Sequence, residues 1–490
     1  MLYAIMSLAT FASYRTGVEM PDQRGSHMEI IQMYRGCCSQ SLVLSDYNKP
    51  GFYTIETLLF YGEGGLIMNN IAQVSGYTLA GVVVRLALRM GLHRDPSKVG
   101  GKLSAFQAEF RRRIWHQIVQ IDQLVSFHIG LPAMATAIES DTELPGNFRD
   151  EDFDSDTVKL PPPRPDTEFT PMSYTIAKSR LCKAFGMVAA QANKLSLPPY
   201  EEVMKIDTLL NDAYAKVPSL LRLTPLELAI TDSAAIIMKR FSLALMYYRS
   251  RCVLHRQYLL KAKDSALFAY SKHAGLDASM KLLHIQISAH RAIQPDGHLS
   301  KSVWFMSSLV VHDFLLAATI VYLNLIQVIE TTRKPLDDEQ MSMLQAIEKS
   351  HAIWSQTKDD IEAAKKASDI LELMLAKIKL AINRNNSVDG NNCLPPADKP
   401  MPNGDAWMAD LSLNGNPFLL LCLATFLTLS YSLLPHQYFE EKNTNNYQIL
   451  PQQIIPIIIP YRLIGAGQMV SVRKYLTRLF LTRNVILHYH

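Results

Sequence analysis

The stretch SAFQAEFRRRIWHQIVQIDQLVSFHIGLP, residues 104–132, decides the fold class. Ser104 with Gln107 three positions on has the form of a capping box, in which each side chain satisfies the other residue's backbone N–H. Glu109 in the early turns suits the positive end of the helix dipole, and it stands four residues before Arg113, the spacing of an intrahelical ion pair. Phe110, Ile114, Ile118, Ile121 and Val125 recur at steps of four, four, three and four, which traces one face of an α-helix. Gly130 and Pro132 mark its stop.

The same period runs through most of residues 1–385, with few alternating, strand-like segments. In TLAGVVVRLALRMGL, residues 78–92, Leu79, Val82, Val83, Leu86 and Met90 share one face and Arg85 and Arg89 another; Gly91 follows as the stop. Further helices are expected over 172–195, 200–216, 233–263, 265–293, 301–331 and 337–382. In the last of these Ile361, Ala364, Ser368, Leu371, Leu375 and Ile378 keep a 3-4-3-4-3 rhythm, which suits a packing seam and falls short of a dimerising coiled coil. Residues 141–171 are rich in acid and proline and read as a loop; residues 384–406 are polar and proline-bearing. The expected fold is all-α, a multi-helix array with short connections, one acidic, proline-rich loop and a poorly ordered C-terminal tail. The expected division is residues 1–385 as one unit, with the helices of 1–140 and 172–382 packed together, then a linker at 386–410 and an atypical tail at 411–490.

Composition narrows the function classes. With 48% hydrophobic residues and 19% charged, 490 residues can bury a substantial core. The net charge of +4 is weak over this length and is misplaced for a nucleic-acid surface, because Lys442 to His490 hold six Lys or Arg and no acid. Cys37, Cys38, Cys182, Cys252, Cys393 and Cys422 form no C-x2-C pair, which argues against a zinc site and against a secreted disulfide framework. The opening MLYAIMSLATFASYR lacks a basic n-region and reads as a helix rather than a signal peptide. PFLLLCLATFLTLSYSLL, residues 417–434, reaches membrane-span length without the flanking Lys/Arg bias, so a membrane anchor, a buried helix and a translated intron or downstream sequence all stand as readings of it.

Chemistry-bearing motifs are absent. No H-x-x-x-H with a glutamate occurs, no G-x-S-x-G elbow, and YGEGG at 61–65 precedes no phosphate-loop lysine. An all-helical chain prompts a magnesium-dependent terpene-cyclising reading, but DEDFDSD at 150–156 sits in a proline-flanked loop and DDIE at 359–362 has the wrong spacing. The expectation is no enzyme, no catalytic residue, no cofactor and no metal ligand.

Four stretches in order carry a resemblance: GVVVRLALRMGLHRD at 81–95, RRRIWHQIVQIDQLVSFHIGLP at 111–132 followed by DTELP at 141–145, YYRSRCVLHRQYL at 247–259, and SSLVVHDFLLAATIVYLNL at 307–325. Together they resemble the middle homology region of fungal binuclear-zinc-cluster transcription factors, the fungal-specific transcription factor domain also called the xylanolytic activator regulatory domain. The matching residues are Gly91, His93, Arg94 and Asp95; Glu109, Arg111, Arg112, Arg113, Trp115 and Asp122; Gly130 and Pro132; and His255 and Arg256. The resemblance implies transcription regulation of RNA polymerase II genes in the nucleus. It implies as partners a second copy of the chain or transcription co-regulators, and a small-molecule effector held in an apolar pocket between helices; a membrane is disfavoured. The family's six-cysteine zinc cluster is not in this sequence, so DNA binding is implied only through a segment ahead of it, and either an upstream exon has been lost or this is a cluster-free member. The competing reading is a cluster-free helical interaction protein or a membrane-associated regulator anchored by 417–434.

The motif residues, with Arg85, are expected to serve architecture. Arg111, Arg112 and Arg113 are consecutive and cannot share one helix face, which weakens a phosphate-contacting role. Asp122 shares a stripe with Trp115 and Ile118, and a buried carboxylate needs a partner; Arg85, Arg94 and Arg111 are the candidates for an ion pair tying the two motif helices.

Overall fold

The computed structural model describes residues 1–388 except 17–24, 52, 69–72, 101–102, 195, 197, 260, 264, 301–307, 333 and 358–361. The described residues contain thirteen α-helices and no strand: α1 Leu2–Thr16, α2 His27–Leu44, α3 Thr54–Met68, α4 Gln73–Arg89, α5 Pro96–Val99, α6 Ala105–His128, α7 Met172–Ala192, α8 Tyr200–Ala215, α9 Ala234–His255, α10 Ala269–Ile293, α11 Ser308–Thr332, α12 Asp338–Thr357 and α13 Glu362–Val388. The all-α fold is as the periodicity predicts.

Local chemistry sets the ends of the two motif helices. At α6 both halves of the Ser104–Gln107 capping box are made. Both helices end in the same way: Gly91 (φ 68°) follows α4 and Gly130 (φ 72°) follows α6, each in the left-handed conformation that glycine adopts without steric cost. The Leu92 N–H reaches the Ala87 carbonyl and the Leu131 N–H the Ser126 carbonyl, so orphan carbonyls of each last turn are satisfied.

Packing follows chain order. Val83, Val84, Leu86 and Ala87 of α4 meet Ile114, Trp115 and Ile118 of α6 in a core completed by α1, α2 and α3. The far end of α6 joins α7, α8 and α9 around Leu124, Leu181, Phe185 and Leu243. The largest core lies among α9 to α13. Within it α11, over His312–Thr332, is long and apolar enough to cross a membrane, but its buried Phe314, Ile320, Val321 and Leu325 make it the inner helix of this core.

Two boundaries differ from the sequence reading. The helix expected over 337–382 is two, α12 and α13, packed against each other, with Ala364, Ser368, Leu371, Leu375 and Ile378 buried along the seam. The helix expected to run to 263 stops at His255 and gives way to 3-10 turns at Arg256–Tyr258 and Lys261–Lys263, although no glycine or proline marks the change. Residues 141–171 form a loop, as expected, but one pinned to the helices: Asn147 donates to the carbonyls of Pro165 and Glu168, Arg164 pairs with Asp152, and Phe148 and Phe153 are buried. The expected linker beyond 388, the tail at 411–490 and segment 417–434 lie outside the described residues.

Candidate functional site

The motif residues that the sequence separates by tens of positions converge on one polar joint. It begins at the turn after α4. Asp95, completely buried, caps α5 and accepts from the Ser97 N–H at 2.9 Å and from Ser97 Oγ at 2.6 Å. From α6, Arg112 reaches back with a two-pronged grip, Nε to Oδ2 and Nη2 to Oδ1, both at 2.8 Å. The Glu143 N–H donates to Oδ2 at 3.0 Å, which brings in the loop. Burial alone would raise the Asp95 pKa, but these donors outweigh it and hold the carboxyl far below the usual carboxylate range.

Residues 140–146 are laced onto this joint on both sides. Thr142 Oγ1 donates to the Leu92 carbonyl at 2.8 Å and Ser140 Oγ to the His93 carbonyl at 2.8 Å. The Asp95 N–H returns a bond to Asp141, whose other oxygen pairs with the half-exposed Arg94 at 3.2 Å. His116 on α6 bonds the Glu143 carbonyl at 3.0 Å. One turn earlier Glu109 and Arg113, both buried, form the i, i+4 pair at 2.9 Å, and the Gly146 N–H donates to the same carboxylate. The Arg113 guanidinium lies over the Phe153 ring at 5.3 Å.

The arginine triplet is therefore spent inward. Arg111 donates to the Met90 carbonyl at 2.6 Å, Arg112 holds Asp95 and Arg113 holds Glu109. No phosphate-binding face is built from them. Arg85 is exposed on α4 and bonds back to the Gly81 carbonyl, and the His93 ring packs beside buried Trp115 at 6.2 Å. The Pro132 carbonyl accepts from Tyr77, an outer contact of the α6 stop.

Asp122 corrects an expectation. None of Arg85, Arg94 and Arg111 pairs with it. It is buried, and its Oδ2 accepts the Ala135 N–H at 2.7 Å, so it fastens the short 3-10 turn Ala135–Ala137 that follows α6. Burial raises its pKa against the Ala135 and Met134 backbone donors. The tie between the two motif helices is instead Arg112 to Asp95 together with Arg111 to Met90.

His255 and Arg256 belong to a second, separate network. His255 is fully buried, with Nε2 at 3.1 Å from Asp207 and Nδ1 at 2.9 Å from Ser271 Oγ. Asp207 also accepts from Tyr270 at 2.5 Å and Asn211 at 3.0 Å, and Ser271 Oγ meets Tyr200 at 2.9 Å. Burial opposes ionisation of Asp207, but His255 and Tyr270 outweigh it and the carboxyl sits at about 2. Acid, imidazole and hydroxyl stand in the order of an acyl-transfer relay. Asp207, His255 and Ser271 are nevertheless all buried, and a nucleophile must reach its substrate. The network ties α8, α9 and α10 together. Arg256 is buried beside it, and burial lowers its pKa to about 10.

A cavity of about 20 Å³ lies between α3, α4 and α6, lined by Leu58, Leu59, Leu79, Val83, Ile118 and Glu63 among others. That is room for one water and not for a metabolite. Glu63, fully buried, accepts from Gln117 at 3.0 Å through one oxygen and has no partner for the other among the described residues; burial lifts its pKa to about 8.

Residues 1–212 match the model of the fungal specific transcription factor domain. Just under half of the chain is thus similar to that domain. It is 36% identical over 385 residues to the Zn(2)-C6 fungal-type transcription factor pigI of Monascus ruber, covering 77% of this chain and 47% of that protein. It is 36% identical over 386 residues both to the equisetin cluster transcription factor eqxF of Fusarium heterosporum (77% of this chain, 55% of the relative) and to the fusarisetin A cluster transcription factor fsa6 of Fusarium sp. (77% and 51%). The chain thus spans about half the length of these relatives. No solved structure matches it.

The zinc cluster that the fungal transcription factor family implies does not fit the residues described. Six thiolates must share two metal ions, whereas Cys37 and Cys38 are adjacent on α2, and Cys182 and Cys252 are buried on α7 and α9. No group of three or more His, Cys, Asp or Glu suited to a metal occurs among the described residues. The sequence reading marks Asp141 and Thr142 only as part of DTELP, and does not mark Ser97 and Gly146 at the joint or Asp207 at the second network. Asp95 and His255 were the available signals, since each is a buried polar group whose partners had to be sought.

Proposed function

We propose that the chain is the regulatory region of a fungal zinc-cluster-type transcription regulator, working in the nucleus on RNA polymerase II genes. What carries this reading is the similarity to such factors over 385 residues, coupled with a motif whose arginine triplet is turned inward. Residues 1–385 act as one regulatory unit, and choice of DNA target is left to a zinc-cluster segment or to a partner. Two of the relatives are named as cluster transcription factors, and we extend to this chain control of a clustered gene set. The domain performs no catalysis and needs no cofactor of its own; a second copy of the chain or a co-regulator is its partner. An effector shifts the helices between two packings by binding one of them better. The 20 Å³ cavity beside Glu63 is where such a ligand would have to open space.

The test joins the full chain to a heterologous DNA-binding domain on a reporter gene. The expected result is a reporter output at least about fivefold away from the DNA-binding domain alone, the scale of an ordinary coupling free energy. Equal outputs overturn the reading.

A further inference from the structure

We propose that Ser97 is a phosphorylation site for a basophilic serine/threonine kinase, and that phosphate there opens the joint between α4, α6 and residues 140–146. The sequence around it is LHRDPSK, residues 92–98, with Arg94 three positions before the hydroxyl, Leu92 five before and Lys98 directly after. Kinases that read basic substrates place an arginine at the first of these positions. Ser97 is exposed, on a helix of only four residues that ends at Gly100 with φ 63°. Peeling this segment away requires little helix to unwind.

The geometry gives the modification a consequence. The Ser97 hydroxyl donates at 2.6 Å to Asp95 Oδ1, the oxygen that also receives Arg112 Nη2. In the transfer the ATP γ-phosphorus forms a bond to Ser97 Oγ, its bond to the ADP oxygen breaks, and the hydroxyl proton passes to the kinase's catalytic aspartate. Asp95 then loses a donor and faces a group carrying about −1.5 to −2 charges at neutral pH. Arg112 shares Asp95 Oδ1 with the Ser97 hydroxyl, and a phosphate dianion competes for its fork. Once Arg112 turns to the phosphate, Asp95 no longer holds the loop through the Glu143 N–H. Other charged groups facing this point are Arg94, Lys98 and Asp141, with Arg94 and Lys98 both set on Asp141, and Glu109 and Glu143 beside Arg112. This inference rests on the geometry of the joint and not on the function proposed above.

The test phosphorylates the purified full chain with a calmodulin-dependent kinase and ATP. The expected result is about one phosphate per chain, mapped to Ser97 by mass spectrometry and missing in Ser97→Ala. Amide exchange over residues 140–147 should then quicken about tenfold, and Ser97→Ala should melt within about 2 °C of the parent. An untouched Ser97 in the folded chain, when a peptide of residues 88–103 is readily phosphorylated, overturns the site. Stoichiometric phosphate on Ser97 with unchanged exchange overturns the opening, because the phosphate would then have swung outward onto Arg94 and Lys98.

Discussion

Arg112→Ala isolates the bond that holds the joint. Removing one partner of a buried ion pair costs about 3–5 kcal/mol when the other charge is left alone. Asp95 keeps three donors, the Ser97 N–H, the Ser97 hydroxyl and the Glu143 N–H, so the expected loss is smaller, about 2–3 kcal/mol. At an unfolding entropy of about 2.1 cal/mol/K per residue, a unit of nearly 390 residues has about 0.8 kcal/mol/K, and Tm should fall by about 3 °C. The sign with pH is fixed by the lowered pKa of Asp95. Its stabilising contribution is complete above the unfolded value near pH 4 and disappears as pH falls through the folded value. The gap between parent and Arg112→Ala should therefore be constant from pH 5 to 8 and close in stronger acid. Calorimetry on both proteins, with Asp95→Asn and the double variant, gives the coupling energy. A coupling below about 0.5 kcal/mol, the range of an exposed surface pair, would refute the reasoning.

Glu63→Gln should stabilise the domain at pH 8 by about 4 kcal/mol and change almost nothing at pH 4.5. The wild-type carboxyl takes up a proton on folding between its ordinary value and about 8, so stability declines with rising pH across that window; equal melting curves at pH 8 would contradict this. Asp122→Ala should lower stability by about 1–2 kcal/mol by stranding the Ala135 N–H, with faster exchange at that amide as the specific readout, and Asp122→Asn should restore most of it. Asp207→Ala, which strips His255, Tyr270 and Asn211 of their acceptor, should lose about 3 kcal/mol or more in denaturant titration. A fluorophosphonate probe should leave Ser271 unlabelled in the folded chain, and labelling there would make the Asp207–His255–Ser271 row a working relay.

What was legible in the sequence is what depends on local chemistry. The Ser104–Gln107 box, the glycine stops at 91 and 130 and the Glu109–Arg113 pair each involve residues within a few positions of one another. Helix ends without punctuation were not legible: nothing in VLHRQYL announces that α9 stops at His255, and nothing but the fold separates α12 from α13. Long-range partners were legible only as needs. Burial of Asp122 follows from its stripe, yet a carboxylate is satisfied as well by a backbone N–H as by a guanidinium, and the periodicity of α6 says nothing of which arrives. The resemblance marks Asp95 and Arg112 without saying that they meet, or that the DTELP loop is the third segment bonded there.

Helix α9 touches every one of the later cores. Seventeen of its twenty-two residues are buried, with Phe241 and Leu245 facing α10 to α13, Leu243 and Met246 facing α7 and α8, and Val253 and Leu254 facing a further cluster with α7 and α8. It is an axle with no free side. Close-packed interiors resist gradual sliding and shift, when they shift, between discrete arrangements. A message passed from the amino-terminal helices to α10–α13 through this axle arrives as a step rather than a slope.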